Sequence, residues 1–409
     1  MVENKSDMYL LIISPYLPSE HSGHAGAQLI FRNVKELAKD HKITIAAFTN
    51  KEDKNYIIDL EKNGIDIIDI PYERNPGSIL GKMVSFFINW LPMFRSFFGL
   101  EIFFISKYNR KSMHKKLEEL KFRKIPDLVQ FEYNVMHHYA DIFPNIPKVL
   151  IQHDISTKVY ERSVLENINS KSSKDYRIAQ ENENHWMNKF DAVVVLTEED
   201  KLYCEKRWEK LPPIFVIPPQ VPLVSQNRSP IENKICFIGS FNREPNNQAV
   251  DLLLEDIFPK LKHDIPGINL VIAGKFLSPG RVEKVKHLEG VIYSGYVQDI
   301  DKLLCAATLM IAPILIGAGL KMKITHALAC GTPVLTTPVG AEGIPLNSDE
   351  GLYIENYDGN FIKRAVELLL NQEELKSSGL KGQKQVQRIF SPEAIGEKFD
   401  NLYHHLQQS

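Results

Sequence analysis

Cysteine and long apolar runs are both scarce in this sequence. It has four cysteines and no CxxC pair, which argues against a structural zinc site or a disulfide scaffold and suits a reducing cytoplasm. No stretch offers the ~18 uninterrupted apolar residues of a membrane-spanning helix. The N-terminal apolar run, Tyr9–Ile13, is too short for the core of a signal peptide. We therefore expect a cytoplasmic chain that contacts a membrane only peripherally, if at all.

Neither sign of charge is in excess. The 409 residues include 49 Lys and Arg against 51 Asp and Glu, which gives a formal net charge of −2. This balance excludes a general nucleic-acid binder. Apolar residues make up 44% and charged residues 24% of the chain, near the average of globular proteins. The length predicts two or three domains.

Short apolar runs alternate with stretches of helical spacing along the chain. The runs are continuously apolar, as in a parallel sheet that helices cover on both faces. Helical patterns follow them, as at 27–41, 248–262 and 361–371. This alternation predicts an α/β fold. The candidate strands are Tyr9–Ile13, Ile43–Phe48, Ile65–Ile70, Leu128–Phe131, Val149–Gln152, Ala192–Leu196, Ile235–Ile238, Asn269–Ala273, Val291–Tyr293, Leu309–Ala312 and Val334–Thr336.

A proline-rich stretch, 211–233, divides this pattern in two, because a helix cannot propagate through it. Each flanking block begins with a strand and a glycine turn. We predict two doubly wound Rossmann-like domains, residues 1–217 and 218–390, which face each other across a cleft and are joined by a hinge near 218–233. Ligands bind beyond the carboxyl ends of the strands in such sheets. The last segment, 391–409, has helical spacing.

The segment 82–124 combines aromatic and basic residues. Eight Phe and Trp residues fall between 86 and 104, and a run rich in Lys and Arg follows. This combination suits an anionic membrane surface or a lipid-linked substrate, through contact at 83–124. The alternative is a pair of amphipathic helices that pack their Phe side on the sheet. Asn89, Pro92 and Arg95 exclude a spanning helix in either case.

The turn after the first strand contains two glycines, Gly23 and Gly26. Glycine at this place lets backbone N–H groups approach a phosphate at a helix N-terminus. The pattern is not GxGxxG, so an ordinary structural turn is the alternative.

A histidine, His153, directly follows the candidate strand 149–152. Residues that contact a ligand lie at such strand ends, and the neighbouring Asp154 could orient the ring. Ser156 and Arg162 follow within the next segment. The alternative is that His153 only caps that segment.

The stretch 313–346 holds the densest group of candidate residues. Gly317 and Gly319 open a turn after a strand, and Lys321 and Lys323 lie at the start of the next helix. A further strand ends in Gly340, Ala341, Glu342 and Gly343. Glycine turns, a helix N-terminus and two lysines together could hold a diphosphate. Two ordinary turns with lysines in solvent are the alternative.

These residues resemble a known family. The stretch GAGLKMKITHALACGTPVLTTPVGAEGI, 317–344, looks like the nucleotide-sugar motif of retaining GT-B glycosyltransferases of family four (group 1), in their glycine-rich variant. FIGSFNREPNNQAV resembles the first strand, loop and helix of the family's donor domain. SPYLPSEHSGHAGAQL and IQHDIS are similar to loops of its acceptor domain. The resemblance implies a last helix, 391–409, that crosses back to the first domain.

The resemblance also implies roles for particular residues. Lys321 and Lys323 would neutralise the donor diphosphate, and His153 would contact the transferred sugar. Gly23 and Gly26 would form the loop near the phosphate and the acceptor. The other residues implied in donor binding are Gly239, Ser240, Arg243, Gly317, His326, Gly340, Ala341 and Glu342.

The sequence departs from the family at three places. The family has a Glu-x7-Glu pair, where this chain has Ala318 and His326. The second Glu normally binds both ribose hydroxyls, and a His offers only one ring nitrogen to that edge. The Arg and Lys usual in the first donor-domain loop are also absent, and Arg243 is the nearest substitute.

The expected function is transfer of a sugar from a nucleotide-diphosphate sugar to an acceptor hydroxyl with retention of configuration. The acceptor would be a glycan, a lipid-linked molecule or a small molecule, and no metal or further cofactor is expected. The enzyme would work in cell-surface glycan synthesis, in the cytoplasm or at the inner membrane face. The alternatives are an impaired scaffold that binds a ligand or partner, and a GT-B epimerase or phosphorylase.

Overall fold

The computed structural model describes residues 7–22, 24–50, 52–72, 79–165, 170–222, 224, 226–317 and 319–408. It divides into two compact units, Met1–Gln220 with Ile395–Ser409, and Val221–Ala394. The sequence predicts the boundaries after 217 and after 390, each a few residues earlier. Two residues singled out in the sequence, Gly23 and Ala318, lie outside the described residues.

The first unit is built on a seven-stranded parallel sheet in the order β3-β2-β1-β4-β5-β6-β7. Five of these strands are buried along nearly their whole length, as their continuous apolar sequences require. They are β1, β2, β4, β5 and β6. The order reverses between β1 and β4, where a ligand crevice is expected. The strands are β1 Tyr9–Ser14, β2 Lys42–Thr49, β3 Asp66–Pro71, β4 Leu128–Glu132, β5 Lys148–Gln152, β6 Ala192–Val195 and β7 Ile214–Val216.

Helices connect these strands and bury their apolar faces on the sheet. In α1, for example, Ile30, Phe31, Val34 and Leu37 are buried at helical spacing. The helices are α1 Ala25–Leu37, α2 Lys54–Glu61, α3 Ile79–Phe97, α4 Phe103–Ser106, α5 Lys111–Arg123, α6 Ser156–Leu165, α7 Ser170–Met187 and α8 Glu198–Arg207, with a 3₁₀ helix at Asn134–Ile142.

The second unit has a six-stranded parallel sheet in the order β10-β9-β8-β11-β12-β13. Its order reverses between β8 and β11. The strands are β8 Lys234–Ile238, β9 Asn269–Ala273, β10 Val291–Gly295, β11 Leu309–Ala312, β12 Val334–Thr336 and β13 Leu352–Ile354. The helices are α9 Glu244–Leu252, α10 Phe258–Asp264, α11 Pro279–Lys286, α12 Ile300–Cys305, α13 Met322–Ala329, α14 Pro338–Ala341, α15 Gly359–Leu370 and α16 Gln372–Phe390, with a 3₁₀ helix at Ser348–Glu350.

The last helix, α17 Pro392–Gln408, packs on the first unit. Phe399 and Leu402 are buried in the core that β1 and β2 share. Asp400 Oδ1 lies 2.9 Å from His41 Nε2, and the hydroxyl of Tyr403 donates a hydrogen bond to Gln130 Oε1. These buried polar contacts fix the register of α17 on the sheet.

Two strands and a helical break were not expected. Strand β7, Ile214–Val216, lies inside the proline-rich stretch 211–233, where the sequence predicts no strand. It is an edge strand, which tolerates the preceding Pro212 and Pro213. Strand β13 has three residues, too few for a recognisable apolar run. The helix expected at 248–262 is interrupted by a π-helical turn at Leu253–Ile257.

Helix α3 contradicts the expectation of a Phe side packed on the sheet. Its aromatic residues are mostly exposed, with Phe87 at 67% and Phe97 at 78%. Among the described residues, no helix is both long and apolar enough to cross a membrane.

Candidate functional site

In the second unit, the loops after β8 and β11 meet around Lys323. This lysine lies in the first turn of α13, and its amine donates a hydrogen bond to Asn246 Oδ1 on α9. Asn246 is buried and also donates from Nδ2 to the carbonyl oxygen of Ser240, at 2.7 Å. A Cβ at Gly239 would lie 2.9 Å from Asn246 Cγ, so glycine leaves the room that Asn246 occupies. Sequence analysis missed Asn246.

Three cations converge at this place. Burial, and then the neighbouring charges of Lys321 and Arg243, lower the pKa of Lys323 to about 7. Lys321 Nζ lies 3.6 Å from Glu342 Oε2 and donates to the carbonyl oxygen of Gly319 at 2.5 Å. The charges of Lys321 and Arg243 disfavour a protonated Lys323, and a bound anion would favour it, so the arrangement suits an anionic ligand.

The N-terminus of α13 adds backbone donors to these charges. Its N-cap, Lys321, provides no side-chain cap, and no acidic residue lies in the first turn. The preceding turn needs glycine, since Gly317 and Gly319 have φ of 116° and 69°. Amide groups at a helix N-terminus and two lysines together are suited to a phosphate or diphosphate.

The turn after β12 is shaped by Gly340 on α14. A Cβ there would lie 1.9 Å from Thr336 Oγ1, and the amide of Gly340 donates to Thr337 Oγ1 at 3.1 Å. Ala341 is buried, and Glu342 follows directly. Close packing therefore fixes the backbone that presents Glu342 to Lys321.

We expect Gly340→Ala to lower the free energy of unfolding by about 1–3 kcal/mol, because its Cβ overlaps a buried threonine oxygen that is itself bonded to Ala312. Urea unfolding of the full chain measures this. Gly280→Ala on α11 is the matched control, since its Cβ would meet no atom within 4 Å. Equal losses in the two variants would contradict the steric explanation.

His326 lies on α13 and forms a pair with Asp301 at the start of α12. Its Nε2 is 2.7 Å from Asp301 Oδ1, and both side chains are partly exposed. The sequence did not point to Asp301. Asp301, His326 and Cys330 have potential metal-ligand atoms within 4.8 Å of one another, as do Glu101, His137 and His138 in the first unit.

In the first unit, His153 follows β5 and is held by a carboxylate from β4. Its Nε2 lies 2.7 Å from Glu132 Oε2, and Glu132 Oε1 accepts a hydrogen bond from Gln130 Nε2 at 2.6 Å. Glu132 is fully buried and His153 is 8% exposed. The carboxylate at Nε2 is thus Glu132, whereas the sequence suggested Asp154, which is exposed. Glu132 could have been found, since it too ends a buried strand.

Tyr133 links this pair to the glycine turn. Its ring stacks on that of His153 with centroids 3.8 Å apart and planes 8° apart. A Cβ at Gly26 would lie 1.7 Å from the Tyr133 hydroxyl oxygen, so glycine is required there. Tyr133 has a φ of 67°, which is uncommon for a tyrosine. The structure therefore brings Gly26, Tyr133, His153 and Glu132 together at the carboxyl ends of β4 and β5.

Ser156, another residue that the sequence singled out in the first unit, contacts a different carboxylate, that of Glu183. The amides of Ser156 and Thr157, at the N-terminus of α6, donate at 2.7 Å to buried Glu183, which also accepts from Gln152. Burial raises the pKa of Glu183 to about 7. This protein carboxylate takes the place at α6 that a phosphate would need. Arg162 lies further along α6.

The second unit matches a known family. Residues 232–372 match the family described as "Glycosyl transferases group 1". An "Uncharacterized 44.6 kDa protein in cps region" from Klebsiella pneumoniae is 23% identical over 273 residues, which cover 61% of this chain and 67% of that protein.

Solved structures resemble the whole chain at low identity. Sucrose-phosphate synthase from Thermosynechococcus elongatus matches with a TM-score of 0.67 and 15% identity, over 97% of this chain and 99% of that one. HepE from Anabaena, in complex with UDP and glucose, matches with 0.61 and 13%, over 97% and 100%. A TarM variant from S. aureus, in complex with Fondaparinux, alpha-GlcNAc-glycerol and UDP, matches with 0.64 and 14%, over 97% and 99%. The chain thus has the GT-B fold, and residues 232–372 of its second unit match the group 1 glycosyltransferase family.

Proposed function

We propose that this chain is a glycosyltransferase that moves a sugar from a nucleotide-diphosphate sugar to an acceptor hydroxyl. The observation that carries the proposal is the convergence of Lys321, Lys323 and Arg243 at the N-terminus of α13. Such a group of cations and amide donors stabilises the charge that builds up on a departing diphosphate. The solved complexes of HepE and TarM contain UDP, which favours a nucleotide ligand.

The proposed mechanism uses the protein's own cations. Lys321 and Lys323 hold the diphosphate, so that it leaves without a metal ion. The acceptor hydroxyl attacks from the face that the diphosphate leaves, which retains the configuration of the sugar. No covalent protein nucleophile is required, and the departing diphosphate takes the acceptor proton. His153, oriented by Glu132, contacts the transferred sugar.

The acceptor in this proposal is a glycan, a lipid-linked molecule or a small molecule of cell-surface glycan synthesis. The place of work is the cytoplasm or its membrane face. TarM was solved with alpha-GlcNAc-glycerol, and the Klebsiella relative is described by its cps region. These names support a glycan or glycoconjugate acceptor without fixing its identity.

A thermal-shift screen with UDP-, GDP-, ADP- and dTDP-sugars tests donor binding. A ligand at 100 times its dissociation constant should add about 2.7 kcal/mol of stability, and we expect one nucleotide class to do so. If no class raises the melting temperature at millimolar concentration, the donor-binding proposal fails. The alternative of an impaired scaffold, which Ala318 and His326 suggest in place of the family's two glutamates, would then be favoured.

Binding of the nucleotide sugar should weaken as the pH rises above about 7. Because the pKa of Lys323 is lowered to about 7 in the free chain, its amine is mostly neutral at pH 8.5 and must take up a proton to pair with the diphosphate. The affinity should fall by up to about tenfold per pH unit above 7 and change little below it. Titration calorimetry in buffers of different ionisation enthalpy measures the proton uptake.

Lys323→Arg is the control for this pH dependence, since a guanidinium remains protonated throughout the range. The affinity of this variant for the nucleotide sugar should be constant from about pH 6 to about pH 9. The diphosphate diester of a nucleotide sugar does not titrate in that range, so a wild-type affinity that is equally level would contradict the assignment.

A further inference from the structure

Helix α3 of the first unit turns its apolar residues outward and its polar residues inward. Ser85, Asn89, Pro92 and Ser96 recur at a spacing of four, three and four, and they are the least exposed positions of the helix among its described side chains. The other described positions of the helix are exposed and, apart from Arg95, apolar. A surface helix in water has the opposite arrangement.

The exposed side of α3 is rich in large aromatic residues. We define the α3 apolar face by Phe86, Phe87, Trp90, Phe94, Phe97 and Phe98, which are 49–78% exposed. These side chains lie on several sides of the helix, with exposed aliphatic residues between them. A rigid, flat protein partner could cover only one of these sides, whereas a fluid lipid surface can take up side chains that point in several directions.

Polar contacts hold α3 in this orientation. Asn89 is buried, and its Oδ1 accepts hydrogen bonds from Arg110 and from the hydroxyl of Tyr72, the latter at 3.2 Å. The guanidinium of Arg110 also donates to the carbonyl oxygen of Ile88 at 2.9 Å and lies over the ring of Tyr72. The folded unit therefore presents the α3 apolar face outward through specific contacts with its inner side.

Positive charges border the α3 apolar face. Lys174 and Arg177 of α7 flank Gly99 just beyond the end of the helix. Arg95, on the helix itself, is paired with buried Glu101, at 3.2 Å between Nε and Oε2. Lys107 Nζ lies 4.5 Å from the ring centroid of Phe104. The sequence from 79 to 100 contains no Asp or Glu. Cations beside aromatic side chains match the headgroup region of an anionic bilayer.

We propose that the α3 apolar face binds the surface of an anionic lipid bilayer, with α3 parallel to the membrane plane. Helix α3 has 19 residues and is about 28 Å long, but it is not apolar enough to cross a membrane. Asn89, Arg95 and the contacts of Arg110 tie it to the protein and prevent such an insertion. The aromatic side chains enter the boundary between headgroups and acyl chains, and the bordering cations contact lipid phosphates. This binding does not depend on sugar transfer.

Flotation of the full chain with vesicles tests the proposal. The protein should bind vesicles with 30% phosphatidylglycerol in phosphatidylcholine, and binding should weaken in pure phosphatidylcholine and at 0.5 M salt. The double variant Phe87→Asp, Phe97→Asp should reduce the bound fraction by more than about tenfold. Both side chains are exposed, so its melting temperature should match that of the wild type.

Phe122→Asp is the matched control, because Phe122 is 90% exposed on the basic helix α5 of the same unit. This variant should bind as the wild type does. Equal losses of vesicle binding in both variants would show that the contact is not specific to α3, and this would overturn the proposal.

Brominated lipids measure how deeply the α3 apolar face enters the bilayer. They should quench the fluorescence of Trp90, which is 59% exposed, and Trp90→Phe should bind vesicles but lose that quenching.

Sedimentation of the protein without lipid tests whether a second copy of the chain, and not a membrane, covers the α3 apolar face. If wild type binds no vesicle but forms a dimer that Phe87→Asp, Phe97→Asp dissociates, the face joins two copies and the membrane proposal is wrong. Nucleotide-sugar stabilisation of the double variant should equal that of wild type. Failure of the membrane proposal is therefore separate from failure of the proposed transferase function.

Discussion

Replacement of Lys323 by methionine should weaken nucleotide-sugar binding by about 100-fold. Methionine fills a similar volume but removes the amine that we propose to bind the diphosphate. A charge-assisted hydrogen bond contributes about 1.5–3 kcal/mol, and the shielded position of Lys323 puts it at the upper end. A ligand that stabilises the wild type by about 2.7 kcal/mol should then add only about 0.4 kcal/mol at the same concentration.

Lys363→Met is the matched control, since its side chain on α15 of the same unit is 74% exposed. It should bind the nucleotide sugar as the wild type does. The melting temperature of ligand-free Lys323→Met shows whether Asn246, which loses its donor, disturbs the fold. Unchanged affinity in Lys323→Met would remove the lysine from the site.

Glu132→Gln should lower the turnover number about 10- to 100-fold and leave the KM for the nucleotide sugar unchanged. Glutamine keeps the size of the side chain but removes the negative charge of the carboxylate that faces His153 Nε2. His153→Ala should lower the turnover number about 100- to 1000-fold, because we propose that this side chain contacts the transferred sugar. The rate of nucleotide release under steady-state conditions gives both the turnover number and the KM.

Glu119→Gln on the surface of α5 is the control for Glu132→Gln, and it should leave the turnover number unaltered. Tyr403→Phe tests the same network from α17, because the Tyr403 hydroxyl donates to Gln130, which donates to Glu132. A small fall in turnover is expected for that variant. A turnover number in Glu132→Gln equal to that of wild type would contradict the positioning role.

The sequence predicted most of the sheet, because strands buried on both faces have to be continuously apolar. All eleven candidate strands are present within one or two residues at each end. The prediction failed where tertiary context decides. Strand β7 forms among prolines because it is an edge, and the π-helical turn at Leu253–Ile257 has no periodicity of its own.

The candidate site was predictable where charge and glycine occur close together in sequence. Gly317, Lys321 and Lys323 lie within seven residues at the start of α13, so their proximity follows from their spacing in the sequence. Asn246 and Asp301 were missed because each meets its partner from a distant segment. The outward face of α3 was also hard to predict, because the sequence gives an apolar helix but not the contacts of Asn89 and Arg110 that orient it.

The most direct measurement is nuclear magnetic resonance of the purified chain with the nucleotide sugar that the thermal-shift screen selects. The account predicts slow release of the nucleoside diphosphate, even to water, with a sugar product of retained anomeric configuration. Lys323→Met should abolish that release. A nucleotide sugar that binds at Lys323 but stays intact, with water and with glycan acceptors alike, would contradict the account and leave a binding scaffold.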